Sequence, residues 1–377
     1  MKDIVFQHEF FMNQALQLAT LGLYSTHPNP RVGCVVVQAN KIISQGWHQH
    51  AGGLHAEIHA LQQAGEKARG ADLYVTLEPC SHFGKTPPCI HQIISSGIKR
   101  VIAGSIDPNP QVSGKGFAAL KAAGIEVIHP ILEKQCRDLN PGFFSKHIRQ
   151  QPWIRVKIAA SLDGKIALAN GESQWITGPE AREDGHRWRL RSSAVIIGIG
   201  SVLKDNPTLT ARCIEADSAQ RQPIRIVLDS GLRFPNECNL RSTASPEQPV
   251  WIITNKKQVP KDSAGLRWIS LSLFQNTNLA SINYSESTKS GIDLKALFTF
   301  LLQQDLHEIL IEAGAQLTTS CLKECADEII LYQAPKLLGT KARSFFSEDI
   351  IVLARAPTWH ISAVDIVGND LRVILQR

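Results

Sequence analysis

The sequence predicts an α/β protein of two domains, and three observations lead there. Apolar runs of strand length alternate with helix-periodic segments through the first half, in a strand–helix–strand–helix–strand order. The same alternation restarts at Trp153, after the polar, Pro-flanked stretch NPGFFSKHIRQQP. A chain of 377 residues also exceeds what one hydrophobic core usually serves. The boundary is expected within about 140–152, dividing the chain into 1–148 and 149–377. A βαβ order implies mainly parallel sheets with helices packed on them.

Residues 8–22 (HEFFMNQALQLATLG) have helical spacing and stop at Gly22. HPNPRVG (27–33) is a loop, and CVVVQANKIISQGWH reads as two short strands about an Ala-Asn turn, with a helix following over 55–67. DLYVTLEPC is a buried strand, IHQIISSGI a helix, RVIAGSIDP a strand, GKGFAALKAAGI a helix and EVIHPIL a strand. HPNPRVG and DPNPQVSGKG (107–116) share a pattern in which Pro and Asn fix turns. The second half reads as strands in WIRVKIAASLDGKIAL, AVIIGIG, PIRIVLDS, PVWIITN, EILIEAG and EIILYQAPKLLG, with helices at about 179–192, 292–304 and 316–325. It closes on an antiparallel hairpin, HISAVDIV-GND-LRVILQR, and about 272–292 is expected to be a surface loop.

Composition is that of a soluble globular protein, 43% hydrophobic and 20% charged, with a net charge of +6. That charge suits anionic substrates but no run of basic residues argues for nucleic acid. No stretch approaches a membrane span, and MKDIVFQHEF lacks the apolar core of a secretory signal, so a cytosolic location is expected. Eight sparse cysteines fit a reducing compartment.

The chemistry concentrates in LHAEIHAL and VTLEPCSHFGKTPPC. His55 with Cys80 and Cys89 supplies one imidazole and two thiolates, a donor set that suits Zn²⁺ and leaves a fourth position for water. Glu57, two residues from His55, can sit beside that water as general acid/base without binding metal. This is the His-x-Glu, Pro-Cys, Cys arrangement of the zinc nucleobase deaminases, except that eight residues separate the cysteines instead of two. A structural zinc site remains open as the alternative, with His59, His82 or His91 as fourth ligand, but such a site has no use for Glu57.

Two strand-to-turn segments could cradle phosphate. IIGIGSVLKDNP offers Gly198-x-Gly200 with Asp217 further on, but Leu203 replaces the third glycine and Asn206-Pro207 leaves no room for a long helix. ILIEAGAQLTTS places Ala-Gly-Ala before a helix N-terminus.

Taken in order, HPNPRVG, HAEIHA, TLEPCSHFGKTPPC and DPNPQVSGKG resemble the riboflavin-pathway pyrimidine deaminase, and KIAASLDGKIA, GESQWIT, DNPTLTAR, IRIVLDS, EAG and APKLLG resemble its fused reductase. The resemblance runs nearly end to end. It implies a cytidine-deaminase-like N-terminal fold, a dihydrofolate-reductase-like C-terminal fold, Zn²⁺ and NADPH as cofactors, and a phosphorylated pyrimidine as small-molecule substrate. It also implies association of copies through the reductase domain. Carried over by motif, Asn29, His48, Lys85 and Asp107 are deaminase substrate residues. Ala159, Trp175, Ser201, Asp205, Ser230 and the turn Gly314, Ala315, Gln316, Leu317, Thr318, Thr319, Ser320 match cofactor positions. Ser173, Arg189, Leu209, Arg212 and Glu312 match reductase substrate positions. Gly178, Ser201, Ala315 and Gly231 depart from the commoner family wording. A nucleic-acid deaminase with an appended binding domain is the rival enzyme reading, and the second half lacks the aromatic, basic or Gly-x-x-Gly motifs it would need.

Overall fold

The computed structural model describes residues 2–81, 87–213, 221–274 and 291–377, in two compact units, Met1–Gln150 and Gln151–Arg377.

In the first unit α1 (Lys2–Thr20) precedes the hairpin β1 (Gly33–Gln38) and β2 (Lys41–Trp47). Then come α2 (Ala56–Ala64), β3 (Asp72–Leu77), α3 (Cys89–Ser95), β4 (Arg100–Ser105), α4 (Lys115–Ala122), β5 (Glu126–Ile128), α5 (Glu133–Asp138) and α6 (Pro141–Arg149). The sheet order is β2-β1-β3-β4-β5. Pairing is parallel from β3 to β5 but antiparallel on both sides of β1. The mainly parallel sheet expected from the βαβ order therefore holds for three strands only. Ala39 and Asn40, both at positive φ, make a two-residue turn, and so short a link can only join antiparallel neighbours.

Both faces of this sheet are covered, which is why β3 and β4 read as continuous apolar runs. Ala56, Ala60, Leu61, Ile93, Phe117 and Leu120 pack on one face, while Phe11, Met12 and Ala15 of α1 meet Val35, Tyr74 and Ile102 on the other. A side chain at Gly33 would strike the Ala15 carbonyl at 1.9 Å, so only glycine lets α1 lie this close to β1.

The stretch read as a connector is helix α6. Pro141 starts it at a position where its missing N–H costs nothing, and Gln150 at φ 54 ends it. Asn140 anchors it to the first unit, accepting from Arg31 N at 2.7 Å and donating to Arg31 O at 2.9 Å, and Phe144 is buried. A nine-residue helix this polar gives too few turns for its periodicity to show.

The second unit holds β6 (Trp153–Ser161), β7 (Lys165–Ala167), α7 (Pro179–Arg191), β8 (Ala194–Gly198), α8 (Ile199–Asp205), β9 (Ile224–Leu228), α9 (Asn239–Ser242), β10 (Val250–Thr254), β11 (Leu266–Ser270) and α10 (Leu271–Phe274). After these come α11 (Leu294–Gln303), β12 (Glu308–Ile311), α12 (Ala315–Glu324), β13 (Glu328–Ala334), β14 (Arg343–Ser344), β15 (His360–Val367) and β16 (Asp370–Gln376). A nine-stranded sheet runs β11-β10-β9-β8-β12-β6-β13-β16-β15. It is parallel through β13, and the final hairpin adds antiparallel, as its GND turn predicts. α8 lasts seven residues and ends at Asn206, φ 41, before Pro207. Most of the expected loop at 272–292 lies outside the described residues, as does Asp217.

Candidate active sites

His55 is the N-cap residue of α2, which puts its ring at the helix mouth and Glu57 in the first turn. Cys80 follows the end of β3, and Cys89 opens α3 after Pro88. The two thiols meet at His55 despite the long spacing: His55 Nδ1 lies 3.1 Å from Cys89 Sγ and 3.5 Å from Cys80 Sγ, and the Cys89 amide donates to Cys80 Sγ at 3.3 Å. All three donor atoms fall within 4.8 Å of one another. Tetrahedral zinc, with bonds of about 2.05 Å to nitrogen and 2.3 Å to sulfur, separates its N and S ligands by roughly 3.6 Å, so the residues fit the ion. Among the described residues neither His59 nor His91 joins the group, and His82 lies outside them.

His55 and Cys80 open on a cavity of about 300 Å³. Glu57, 4% exposed, lines it together with Asn29, His48 and Asp107, so the sequence-expected deaminase residues that are described converge on one space. Lys85 lies outside the described residues. The Leu54 carbonyl can only accept, so His48 Nδ1 (3.0 Å away) carries the proton and Nε2 accepts from Asn29 Nδ2 at 3.0 Å. Burial lowers the His48 pKa, keeping the ring neutral. Burial raises the carboxyls of Glu57 and of Asp107, the latter to about 7. Between the paired sulfurs, hydrogen bonding with Cys89 makes Cys80 the more acidic, the thiolate form a metal needs.

In the second unit the topology gathers the expected cofactor residues. Neighbouring parallel strands β9, β8, β12 and β6 end at one edge of the sheet. Ser230 follows β9, Ser201 follows β8, Gly314–Ser320 follow β12, and Ala159 sits near the end of β6. Ligands of open α/β sheets bind outside such strand ends. Gly314 caps α12, and Thr318 N already bonds Gly314 O. The amides of Ala315, Gln316 and Leu317 are therefore the ones turned outward for an anion. The Leu317 side chain packs in the core, and Thr318 Oγ1 bonds Ala313 O, so these two offer backbone rather than side chain. A Cβ at Gly198 or Gly200 would meet nothing within 4 Å, and one at Gly314 would lie 3.7 Å from Ser201 Oγ: open space that fits a nucleotide cradle. Asp205, at the end of α8, is exposed. Trp175 is 62% exposed, with the Arg182 guanidinium 4.5 Å from its ring centroid and Lys336 Nζ on its carbonyl at 2.9 Å. Ser173 stands half-buried two residues before it.

Of the expected reductase substrate residues, Arg189 meets Glu312 directly, and the 209–212 segment joins them through Thr210, whereas no contact among the described residues places Ser173 in this cluster. Arg189 forks onto it, Nε to Oε1 at 2.5 Å and Nη2 to Oε2 at 2.9 Å, and Lys157 Nζ stands 3.9 Å from Oε2. Arg189 Nη1 and His186 Nδ1 both donate to Thr210 O, which ties this cluster to the segment carrying Leu209 and Arg212. Leu209 is buried at φ 57, and Arg212 is exposed and donates to the hydroxyls of Thr208 and Thr210. Burial opposes ionisation of Glu312, yet Arg189, with Lys157 and His186, outweighs it and holds the carboxyl at about 2. Burial, with Arg189 and Arg212, drives His186 down to about 4.

Comparison with known proteins gives the family and the identity of both domains. Residues 6–105 match the cytidine and deoxycytidylate deaminase zinc-binding region, and residues 152–371 match the RibD C-terminal domain. The riboflavin biosynthesis protein RibD of Escherichia coli K12 is 41% identical over 97% of this chain and 98% of its own. The chain belongs to the RibD family. The RibD of Aquifex aeolicus is also 41% identical, over 97% of this chain and 98% of its own. A solved Acinetobacter baumannii RibD superposes with a TM-score of 0.86 at 39% identity, covering 99% of each chain. A diaminohydroxyphosphoribosylaminopyrimidine deaminase/5-amino-6-(5-phosphoribosylamino)uracil reductase from Thermotoga maritima gives 0.84 at 33% identity, again over 99% of each. The deaminase-like and reductase-like folds implied by the sequence resemblance stand, as does a RibD-type bifunctional enzyme of riboflavin biosynthesis.

Lys157, Glu78 and Phe143 are among the residues at these sites that escaped the sequence reading. Lys157 in KIAASLDGKIA passes for the solvated side of an alternating strand. Glu78 in TLEPC looks like spacing before the metal ligand. Phe143, a cavity residue, lies in the stretch read as a connector.

Proposed function

We propose that the first domain hydrolyses the 2-amino group of 2,5-diamino-6-ribosylamino-4(3H)-pyrimidinone 5′-phosphate, and that the second reduces the ribosyl group of the product to ribityl with NADPH. The observation that carries this reading is Glu57, a buried carboxyl that faces the same cavity as the metal donors His55 and Cys80 but stands outside the donor set. His55, Cys80 and Cys89 hold Zn²⁺, which when bound makes water acidic enough to ionise near neutral pH. Glu57 takes the proton released at the attack on the ring carbon and returns protons to the ring nitrogen and the departing ammonia. Its burial, which favours the protonated form, suits a group that must carry a proton in mid-reaction. His48, fixed by Leu54, orients the Asn29 amide, and Asn29, His48, Asp107 and Lys85 hold the substrate.

In the second domain Ala159, Trp175, Ser201, Asp205, Ser230 and Gly314–Ser320 hold the nucleotide, which supplies a hydride when bound. Glu312, kept ionised by Arg189, accepts hydrogen bonds from the substrate beside Ser173 and Leu209. Arg212, exposed and charged, takes the 5′-phosphate. Arg189 already spends its fork on Glu312, so it contributes fixed geometry and charge. Copies pair through the edge strand β15, where Ile361, Val364 and Ile366 are 66%, 54% and 82% exposed. We place the enzyme in the cytosol; among the described residues no helix is long and apolar enough to cross a membrane.

Ammonia release and NADPH oxidation, measured separately on the purified chain, test the reading. Absence of either activity with its substrate removes that half.

A further inference from the structure

Glu78 stands between the end of β3 and the metal donor Cys80, and it is 3% exposed. Its carboxylate accepts four backbone N–H groups. Oε2 takes those of Asp107 at 3.1 Å and Gly114 at 3.0 Å, and Oε1 those of Gly116 at 3.0 Å and Phe117 at 3.3 Å. Gly116 and Phe117 belong to the first turn of α4, where amides have no partner inside the helix, and the N-cap residue Gly114 has no side chain to serve them. A Cβ at Gly116 would lie 2.1 Å from the Pro79 carbonyl and 3.1 Å from Glu78 Oε1, so the junction closes only on glycine. The clamped segment carries Asp107, Asn109 and Val112, all on the cavity wall. Hydrolysis needs one proton-carrying carboxyl, which Glu57 provides, and Glu78 is not among the metal donors.

We infer that Glu78 is a positioning residue of the deaminase: it ties the 107–117 segment to the Pro79–Cys80 turn, so that the substrate wall and the metal donor keep one spacing across the cavity. The charge matters as well as the shape. A carboxylate offers enough lone pairs for four amides, whereas a glutamine in its place has one oxygen and turns an NH₂ towards donors. The inference rests on the assignment of Asp107 to the substrate wall.

The test uses the full-length, zinc-loaded chain. Glu78→Gln should keep one zinc and unchanged reductase kinetics, while deaminase kcat/KM falls roughly 30–100-fold, the scale of an ångström-level misplacement. The loss should appear mainly in KM, because Glu57 and the metal donors are untouched. In an Asp107→Asn background the Glu78→Gln penalty should shrink to below about threefold, since the wall it positions no longer binds. Gly116→Ala, which wedges the same junction with Glu78 intact, should give the same KM signature, and it decides the matter should Glu78→Gln not fold. Zinc loss from Glu78→Gln, an equal penalty in both backgrounds, or near-normal kcat/KM overturns the inference. Near-normal kcat/KM in Asp107→Asn alone overturns the wall assignment instead.

Discussion

Removing the Arg189 side chain isolates the energetics of the reductase cluster. Arg189 and Glu312 are 16% and 13% exposed, and their two parallel hydrogen bonds are the bidentate form of this pair. Arg189→Ala leaves Lys157, at 3.9 Å, as the nearest cation to balance the Glu312 carboxylate, with His186 a lesser contributor. Breaking a buried pair by deleting one partner costs about 3–5 kcal/mol; with Lys157 still near, the lower end, about 3 kcal/mol, is expected. For a unit of this size each kcal/mol shifts Tm by about 2–4 °C, so the reductase transition should fall by roughly 6–12 °C in calorimetry of the full chain. The sign of the pH dependence follows. In the parent the Glu312 carboxyl is held at about 2 against an ordinary 4.5, so its stabilisation is complete above 4.5 and is lost as pH falls through about 2. In the variant burial dominates and raises that carboxyl, so protonation relieves the fold and the Tm gap should narrow as pH drops from 7 towards 5. A gap below about 2 °C at pH 7, or one independent of pH, refutes a desolvated, structure-bearing pair.

Glu57→Gln should retain zinc by metal analysis while deamination drops at least about a hundredfold, and loss of zinc would make Glu57 a ligand. The domains should separate, but the cut must follow α6: residues 1–150 should deaminate and residues 151–377 should oxidise NADPH with the deaminated substrate, whereas a cut at 146 should impair the deaminase by shearing a helix that supplies Phe143 to the cavity. Insolubility of the 151–377 piece beside an active 1–150 piece would show a shared core. Arg212→Ala should lower reductase kcat/KM by about 2–3 kcal/mol without changing NADPH affinity or deamination; a cost well under 1 kcal/mol would make it a solvated charge. Ile366→Lys should shift sedimentation towards monomer, and an unchanged oligomeric state would clear β15 of the interface.

Much of the site was legible because its chemistry is local. His55 and Glu57 occupy one helix turn, and a cysteine after Pro79 with another beyond a loop is a metal pattern whatever surrounds it. The alternation of strands and helices was legible for the same reason, since burial on both faces writes itself into β3, β8 and β10 as unbroken apolar runs. What the sequence could not determine depends on which distant segments meet. The antiparallel pairing of β1 with β3, the docking of α6 through Asn140 and Arg31, and the gathering of Ser201, Ser230 and Gly314 at one sheet edge are set by tertiary packing. Glu78 and Lys157 acquire their partners only when residues tens to more than a hundred positions away fold against them. Periodicity reports the face a residue turns inward, and only tertiary packing decides what it finds there.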